Sequence, residues 1–475
     1  MTHPEFTRRR FLSTLMATAG SSAAPFAANL MAMGQAAAAS ASDYKALVCL
    51  FMTGGNDHYN TLLATDETSW SEYRRLRDTK NAPSIALDAV NVSNGVLALS
   101  PSAAPGNRGF AVHPQLDGLR TLFNVGRAAA VANVGSLIVP TTKAQYLARS
   151  VPLPPKLFSH NDQQAVWQAS QAEGARVGWG GRMMDLLQAS NANASFACIS
   201  TAGNAVFLNG KAARQYQMSS DGAMAEIKGI NGRVYAGTAP LQAMLTNSNL
   251  GALHKTHAAI VARAIDLNAQ LSAALTPAGS GGVAHPSTYI NPNTGAALVN
   301  PLAVQLQTVA RLIASRNALG LKRQIFFVNM GGFDTHDDQK ERHANLMAKL
   351  SHGLTYFDDV LGNLSGASMR EQVTTFTASD FGRTLTSNGD GTDHGWGSHH
   401  FVVGGAVRGK KIYGEFPEIG IDHANDVGQG ALLPGISIEQ YAGTLGSWFG
   451  LGPNALADVL PNLGNFDTRD LGFMA

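Results

Sequence analysis

Cysteine is scarce in this sequence, and its scarcity excludes several kinds of redox protein. Cys49 and Cys198 are the two cysteines among 475 residues, and they lie too far apart to form a Cys-x-x-Cys motif. Two isolated cysteines cannot build an iron–sulfur cluster or a set of copper sites. Each lies within a short apolar run, which favours a buried free thiol over a disulfide. No Gly-x-Gly-x-x-Gly pattern follows the first predicted strand, so nothing indicates a dinucleotide cofactor.

Charged side chains are also few, at 14% of the chain against about 25% in typical soluble proteins. The first 41 residues contain three arginines and one glutamate, which account for the whole formal charge of +2. The rest of the chain is therefore neutral. Because it has no basic stripe, we expect no nucleic acid partner and no binding to anionic membranes.

The N-terminal segment has the three parts of an export signal. Arg8, Arg9 and Arg10 precede a mild apolar stretch, and an alanine-rich run ends at residue 41. This order is typical of a twin-arginine signal that is cleaved before Ser42. Polar residues interrupt the stretch, so it lacks the roughly 20 apolar residues of a membrane span. We expect the twin-arginine translocase to recognise residues 1–41, and residues 42–475 to be periplasmic or extracellular without stable membrane insertion.

Short apolar runs alternate with longer helical patterns along the remaining chain. This alternation predicts an α/β fold in which helices cover both faces of a mostly parallel sheet. Residues 277–300, rich in Gly, Pro, Ser and Asn, are predicted as a loop or flap, and residues 202–250 as an inserted cap. The predicted strands are 46–52, 128–134, 196–200, 325–330, 373–378 and 401–403, and the predicted helices are 116–123, 254–275, 301–319, 343–361 and 438–449.

Carboxylates and imidazoles follow three of the predicted strands. In an open α/β sheet, the carboxyl ends of the strands form the edge at which ligands bind. A mixed set of Asp and His side chains suits a pair of divalent metal ions. Two ions about 3.5 to 4 Å apart can bind both the attacking and the leaving oxygen when an ester is cleaved. An Asp after a strand is also an ordinary helix N-cap. The residues at this edge are Asp57, then Asp334 and His336, then Asp380 and Arg383, and then Asp393, His394, His399 and His400.

These blocks resemble the signature motifs of the domain of unknown function 1501 family, which is grouped with the alkaline phosphatase and sulfatase superfamily. The resemblance covers nearly the whole mature chain in the right order. It implies a three-layer α/β/α sandwich, alkaline-phosphatase-like, with a metal site at the carboxyl edge of the sheet. The blocks are Gly54-Gly55-Asn56-Asp57, Gly331-Gly332-Phe333-Asp334-Thr335-His336, Ser379-Asp380-Phe381-Gly382-Arg383-Thr384 and Asp393-His394-Gly395.

The resemblance also implies the roles of individual residues. Its metal ligands match Asp57, Asp334, His336, Asp380, Asp393 and His394, and His399 or His400 completes the set. The implied metals are divalent ions, zinc first, with calcium, magnesium or manganese as alternatives. The sulfatase motif Cys-x-Pro-x-Arg, which matures to formylglycine, is absent.

The superfamily's nucleophile lies at a helix N-terminus near the metals, which points to Ser159, with His160 beside it as a second catalytic residue. A hydroxyl at that position would be polarised by the metal and by the helix dipole. The alternative is an ordinary N-cap serine, which by residue preference alone is the commoner role. Arg383 also has two possible roles. It binds an anionic substrate, or it forms an ion pair that holds Asp380 or a neighbouring carboxylate in place.

Two functional hypotheses follow. The first is an exported metal-dependent hydrolase that cleaves small-molecule or glycan esters of phosphate or sulfate by a two-metal mechanism with a serine nucleophile. The second is a non-catalytic exported protein that keeps the metal site for stability or for glycan binding. The second is favoured by departures from the family pattern, since many members carry Glu at the position of Asp380 and a small residue at the position of His58.

Overall fold

The computed structural model describes residues 43–78, 83–223, 242–243, 245–247 and 251–475. The predicted export signal and much of the predicted cap at 202–250 lie outside these ranges. The strands are β1 Lys45–Thr53, β2 Leu62–Ala64, β3 Leu97–Ala98, β4 Phe110–Val112, β5 Ala128–Gly135, β6 Cys198–Ser200, β7 Tyr216–Gln217, β8 Tyr289–Ile290, β9 Ala297–Leu298, β10 Arg323–Gly331, β11 Val373–Ser379, β12 Ser398–Val403, β13 Ile412–Tyr413 and β14 Ile436–Ser437.

The α-helices connect these strands and cover the sheet. They are α1 Glu67–Arg77, α2 Asp117–Asn124, α3 Lys143–Ala148, α4 His160–Ala169, α5 Trp179–Leu187, α6 Gly251–Ala274, α7 Pro301–Ala314, α8 Gln339–Gly362, α9 Ile438–Phe449 and α10 Pro453–Val459. Within the ranges given above, none of these helices is both long and apolar enough to cross a bilayer.

The central sheet has the strand order β13-β5-β12-β11-β1-β10-β6-β7, with β14 also paired to β5. The pairs of β1 with β10 and β11, and of β6 with β7 and β10, are parallel. β12 is antiparallel to both β11 and β5. The sheet is therefore mixed but mostly parallel, as the sequence predicted.

Alternation along β1 shows why both faces of the sheet are covered. Ala46, Val48 and Leu50 lie in one hydrophobic core together with leucines of α7 and α8. Leu47 and Phe51, which point to the opposite face, lie in a second core with residues of α5 and α9. The structure is thus a three-layer α/β/α sandwich, which confirms the predicted fold class.

Local sequence signals explain where two of the covering helices begin. The Asn300 side chain accepts a hydrogen bond from the Leu302 amide, and Pro301 occupies the first turn of α7, where a missing N–H costs nothing. Ser437 and Gln440 form a capping box at the start of α9, which satisfies two amides that the helix itself cannot.

Most predicted elements are present, with differences at their ends. The helix predicted to reach residue 319 ends at Ala314, and the strand predicted from 401 begins at Ser398. The segment 277–300, predicted as a loop, contains the short β8–β9 hairpin. Both cysteines are buried and free, as predicted.

Candidate metal centre

The ends of β1, β10 and β11 bring three loops to one edge of the sheet. Thr53 at the end of β1 pairs with Gly331 at the end of β10, and Met52 pairs with Ser379 at the end of β11. The loops that follow therefore start side by side. This register confirms that the chain segments after these strands meet at one edge.

Gly54 allows the first two loops to approach closely. Its φ is +119°, and a Cβ there would lie 2.3 Å from the Asp334 amide nitrogen. Any other residue would need both a strained backbone and a displaced Asp334. In the loop that follows β10, Phe333 is fully buried in the core. This burial fixes the backbone from which Asp334 extends.

Three ligand atoms converge at this edge: Asp334 Oδ1, His336 Nε2 and His394 Nε2. Asp334 Oδ1 lies 3.2 Å from His336 Nε2 and 3.5 Å from His394 Nε2, and the two imidazole nitrogens are 2.9 Å apart. Tetrahedral zinc with bonds of about 2.0 to 2.2 Å separates its ligands by about 3.3 to 3.6 Å. The two separations from Asp334 Oδ1 lie close to this spacing, whereas the 2.9 Å between the two nitrogens is a hydrogen-bond distance, so the rings would have to move apart by a few tenths of an ångström to share one ion.

Hydrogen bonding leaves the His394 ring in the correct tautomer for a metal. His394 Nδ1 lies 2.7 Å from the Phe158 carbonyl oxygen, which can only accept, so Nδ1 carries the hydrogen and Nε2 presents its lone pair. Burial also lowers the pKa of His394, which keeps the ring neutral. Because His394 Nε2 carries no hydrogen, His336 Nε2 donates the 2.9 Å hydrogen bond between the two rings. To bind a metal through Nε2, His336 would have to carry its hydrogen on Nδ1, which lies 3.4 Å from Asp393 Oδ1.

His160, on the first turn of α4, extends the cluster. Its Nδ1 lies 2.7 Å from Asp380 Oδ2, and its Nε2 lies 3.5 Å from Asp334 Oδ2. That Nε2 is buried without a hydrogen-bond partner among the described residues. The ligand atoms of His160, Asp334 and His394 all lie within 4.8 Å of one another. The hydrogen bond to Asp380 raises the pKa of His160.

Arg383 holds Asp334 in place. It is fully buried, and its Nη2 donates a hydrogen bond to Asp334 Oδ1, while Nη1 donates to the Thr392 carbonyl at 3.1 Å. Burial opposes ionisation of Asp334, but the bond and the charge of Arg383 outweigh it and lower the pKa of Asp334. Of the two interpretations of Arg383, this geometry favours the one in which it ties down a carboxylate.

Asp57 does not join this cluster in the structure. Both its oxygens accept hydrogen bonds from Arg77, at 2.5 and 2.8 Å, and Gln339 Nε2 donates to Oδ2 at 2.6 Å. Asp57 and Arg77 are completely buried. The sequence interpretation made Asp57 a metal ligand, whereas its oxygens here are occupied by protein donors. Arg77 lies 20 residues away on α1, and no local pattern predicted that pairing.

His399 and His400 also lie away from the cluster. The sequence interpretation placed them just before the predicted strand 401–403, but they belong to β12, where neighbouring side chains point to opposite faces. His399 Nδ1 accepts a hydrogen bond from the Asn133 amide at 3.0 Å. His400 packs edge-on against Trp167, and burial lowers its pKa to about 3. Neither ring is positioned as the further ligand that was predicted.

The remaining predicted residues lie beside the cluster. Ser159 is the N-cap of α4, and its Oγ donates to Asp162 Oδ2 at 2.9 Å. Asp380 accepts hydrogen bonds from the Gly54 amide and from Gln164 Nε2, at 3.1 and 2.9 Å. The sequence interpretation missed Gln164, although its position four residues after His160 puts both on one face of α4.

The structure therefore combines an α/β sandwich with an Asp and His cluster at the carboxyl edge of its sheet. The family model described as "Protein of unknown function (DUF1501)" matches residues 44–460. The chain belongs to that family. No curated protein sequence matches it significantly.

Three solved structures are similar to this chain over most of its length. PsFucS1 sulfatase from Pseudoalteromonas sp. has 9% identity, a TM-score of 0.36, and coverage of 93% of this chain and 76% of that one. A structure from Bacteroides thetaiotaomicron, labelled BT33494S-sulf, has 8% identity and a TM-score of 0.35, with 88% and 75% covered. Ps i-CgsB in complex with k-i-k-neocarrahexaose has 7% identity and a TM-score of 0.34, with 87% and 74% covered.

Proposed function

We propose that this protein is a metal-dependent hydrolase of phosphate or sulfate esters. The observation that supports this proposal is the spacing of Asp334 Oδ1, His336 Nε2 and His394 Nε2, which lie 2.9 to 3.5 Å apart. Two imidazoles and one carboxylate form a donor set that favours zinc over calcium or magnesium. Three protein ligands leave a fourth position open, as in catalytic rather than structural zinc sites.

Substrate has access to this position. The side chains of Asp334 and His336 are 46% and 44% exposed, although Arg383 below them is fully buried. A zinc ion here would polarise an ester oxygen and lower the pKa of bound water. Arg383 would keep Asp334 ionised and correctly oriented, so its role is to position a ligand and not to contact the substrate.

His160 is the residue that we propose for proton transfer. Its Nδ1–H donates to Asp380, which fixes the ring, and its Nε2 is directed toward the cluster. A carboxylate that orients an imidazole and stabilises its protonated form is the arrangement by which histidine acts as general acid or base. The raised pKa of His160 favours a proton on the ring, which the leaving oxygen can accept.

Ser159 remains the proposed nucleophile. Its hydroxyl donates to the buried Asp162 carboxylate, which can hold the hydroxyl and accept its proton. As Ser159 Oγ attacks phosphorus or sulfur, its proton passes to Asp162 Oδ2, so Ser159 must reach the substrate while it keeps this contact. Because Asp57 and His399 are engaged elsewhere, we propose one metal in place of the predicted pair.

The test is turnover of aryl phosphate and aryl sulfate esters by the zinc-loaded protein. We expect Asp334→Ala to lower turnover at least ~100-fold, as for loss of a group that acts in the transition state. Asp337→Ala is the matched control, because Asp337 is exposed and paired with Arg342. Absence of turnover on the whole panel with metal bound would contradict the proposal and favour a non-catalytic metal- or glycan-binding protein.

We also propose that the protein is exported by the twin-arginine route to the periplasm or beyond. The support is the order of the arginines, the mild apolar stretch and the alanine run in residues 1–41. Folding before export would allow a metal to be acquired first.

A further inference from the structure

A turn formed by residues 155–158 lies directly before α4 and contacts the loop that carries His394. The Ser159 amide donates to the Lys156 carbonyl at 3.2 Å, which closes this turn at the start of the helix. The carbonyl oxygen of Phe158 lies 2.7 Å from His394 Nδ1. The residue that precedes the proposed nucleophile therefore also contacts a proposed metal ligand.

The contact with Phe158 selects the nitrogen that His394 offers to a metal. The rings of His160 and Phe381 pack against the imidazole, with centroids 4.4 and 4.6 Å from its own. Ring packing of this kind restricts the plane of the imidazole, but it does not distinguish the two nitrogens. The carbonyl oxygen does, because it holds the hydrogen on Nδ1 and leaves the lone pair of Nε2 free.

Phe158 adopts a backbone conformation that its side chain disfavours. Its φ is +70°, in the left-handed region, where bulky residues are genuine outliers. Such a conformation persists where the surrounding structure holds it, and it is found most often at functional sites. Because φ sets the direction of the C=O bond relative to the side chain, this unusual value determines where the carbonyl points.

A small hydrophobic cluster holds the ring of Phe158. The ring is partly buried, and Trp396, which it packs with in this cluster, lies two residues after His394. The same cluster therefore holds both sides of the contact between Phe158 and His394. With the ring anchored here, the left-handed φ directs the carbonyl toward the imidazole. The buried members of the cluster are Leu137, Trp396, Leu433 and Phe466.

A buried chain of hydrogen bonds joins α4 to the same tryptophan. Trp396 Nε1 donates to the carbonyl oxygen and to Oγ of Ser136, at 2.8 and 3.0 Å, and Ser136 Oγ donates to Gln163 Oε1 at 2.6 Å. Gln163 Nε2 in turn donates to the Pro155 carbonyl at 3.2 Å. The three side chains in this chain are buried, so water does not compete for their bonds. The turn, α4 and the His394 loop are thus held together.

We propose that Phe158 is a positioning residue of the metal centre: its left-handed backbone aims the carbonyl at His394 Nδ1 and so presents His394 Nε2 to the metal. Phe158 acts through His394 and would contact neither the metal nor the substrate. This role rests on the proposed function in that it requires a metal at His394.

The zinc affinity of two variants of the full chain, measured by competition with a chelator, tests this role. Phe158→Gly and Phe158→Val both remove the aromatic ring, but glycine adopts a φ of +70° freely, whereas β-branched valine resists it. We expect Phe158→Val to bind zinc at least ~10-fold more weakly than Phe158→Gly, as for loss of a hydrogen-bond partner of a ligating histidine. Equal affinities, or tighter binding by the valine variant, would overturn the proposal, because valine retains more apolar surface for packing than glycine does.

Ser365 offers a matched control. Its φ is +56°, and it lies in an exposed turn after α8, a helix of 24 residues that is about 36 Å long and begins near the metal centre. Ser365→Gly and Ser365→Val make the same change of backbone preference there, and we expect equal zinc affinities. A difference as large as that between the Phe158 variants would overturn the proposal. Melting curves without zinc show which variants fold, and Phe158→Ala replaces Phe158→Val if valine prevents folding, since alanine also disfavours a positive φ.

The tautomer of His394 is a second readout, which a loss of packing alone would not change. Nitrogen NMR of the zinc-free protein with isotope-labelled histidine distinguishes Nδ1–H from Nε2–H, and His394→Gln identifies the signal. We expect Nδ1–H in the wild type and in Phe158→Gly, and a mixture of tautomers in Phe158→Val. Pure Nδ1–H in folded Phe158→Val would overturn the proposal. Neither measurement uses an ester, so absence of turnover with both expected results would contradict the hydrolase and still support the role of Phe158.

Discussion

Asp57 and Arg77 form an ion pair with no exposed surface, and we expect Asp57→Asn to lower the free energy of unfolding by about 3–5 kcal/mol. The magnitude follows from the contacts. Asn is neutral, so it cannot replace the charged carboxylate that accepts the two guanidinium hydrogen bonds of 2.5 and 2.8 Å. Arg77 would then remain buried without a counter-charge. The Gln339 amide would lose its carboxylate acceptor as well.

Chemical denaturation of wild type and variant at several pH values measures this loss. Burial opposes ionisation of Asp57, but the Arg77 charge outweighs it and lowers the pKa of Asp57. The contribution of Asp57 to stability is therefore fully present above its unfolded pKa of about 3.9, and it disappears as the pH falls through the lower folded pKa. The difference between wild type and Asp57→Asn should be constant near neutral pH and shrink below about pH 3.9.

Two further measurements separate a structural role of Asp57 from a ligand role. The double variant Asp57→Leu with Arg77→Met removes both charges, and it should be more stable than Asp57→Asn, because no unpaired buried charge remains. Zinc content of folded Asp57→Asn should equal that of the wild type. A loss of stability under about 1 kcal/mol, or a loss of zinc as large as in Asp334→Ala, would refute the reasoning.

Two predictions concern the nucleophile and the leader. Ser159→Ala should retain zinc but lower ester turnover at least ~100-fold, and near-normal turnover in kinetic assays would remove Ser159 from the proposed mechanism. Replacing Arg8, Arg9 and Arg10 together by lysine should leave the protein in the cytoplasm of a host with a working twin-arginine route. Cell fractionation measures this, and unchanged export would contradict the proposed signal.

The sequence predicted the meeting of distant loops because parallel strands impose it. Once β1, β10 and β11 are recognised as neighbours, the residues that follow them must lie at one edge, and Asp334, His336, Asp380 and Asp393 do so. Gly54, in the first of the family blocks, lies at the same edge, where it permits the contact with the Asp334 backbone.

The sequence did not reveal which of these side chains face each other. Whether an Asp after a strand faces the cluster or the core depends on its hydrogen-bond partners. The partner of Asp57 is Arg77, which lies on a helix that was not predicted. His399 was misplaced because the start of β12 at Ser398 lacks the apolar run that marks its continuation from Phe401. Side-chain pairing across the fold depends on tertiary contacts that local patterns do not encode.

The central claim is that Asp334, His336 and His394 bind one divalent metal ion. Elemental analysis of the purified mature protein after zinc loading and dialysis tests it most directly. We predict one zinc per chain in the wild type and in Asp337→Ala, and a large loss of zinc in Asp334→Ala and His394→Ala while both remain folded. Full zinc content in both of these variants, or none in the wild type, would contradict the account.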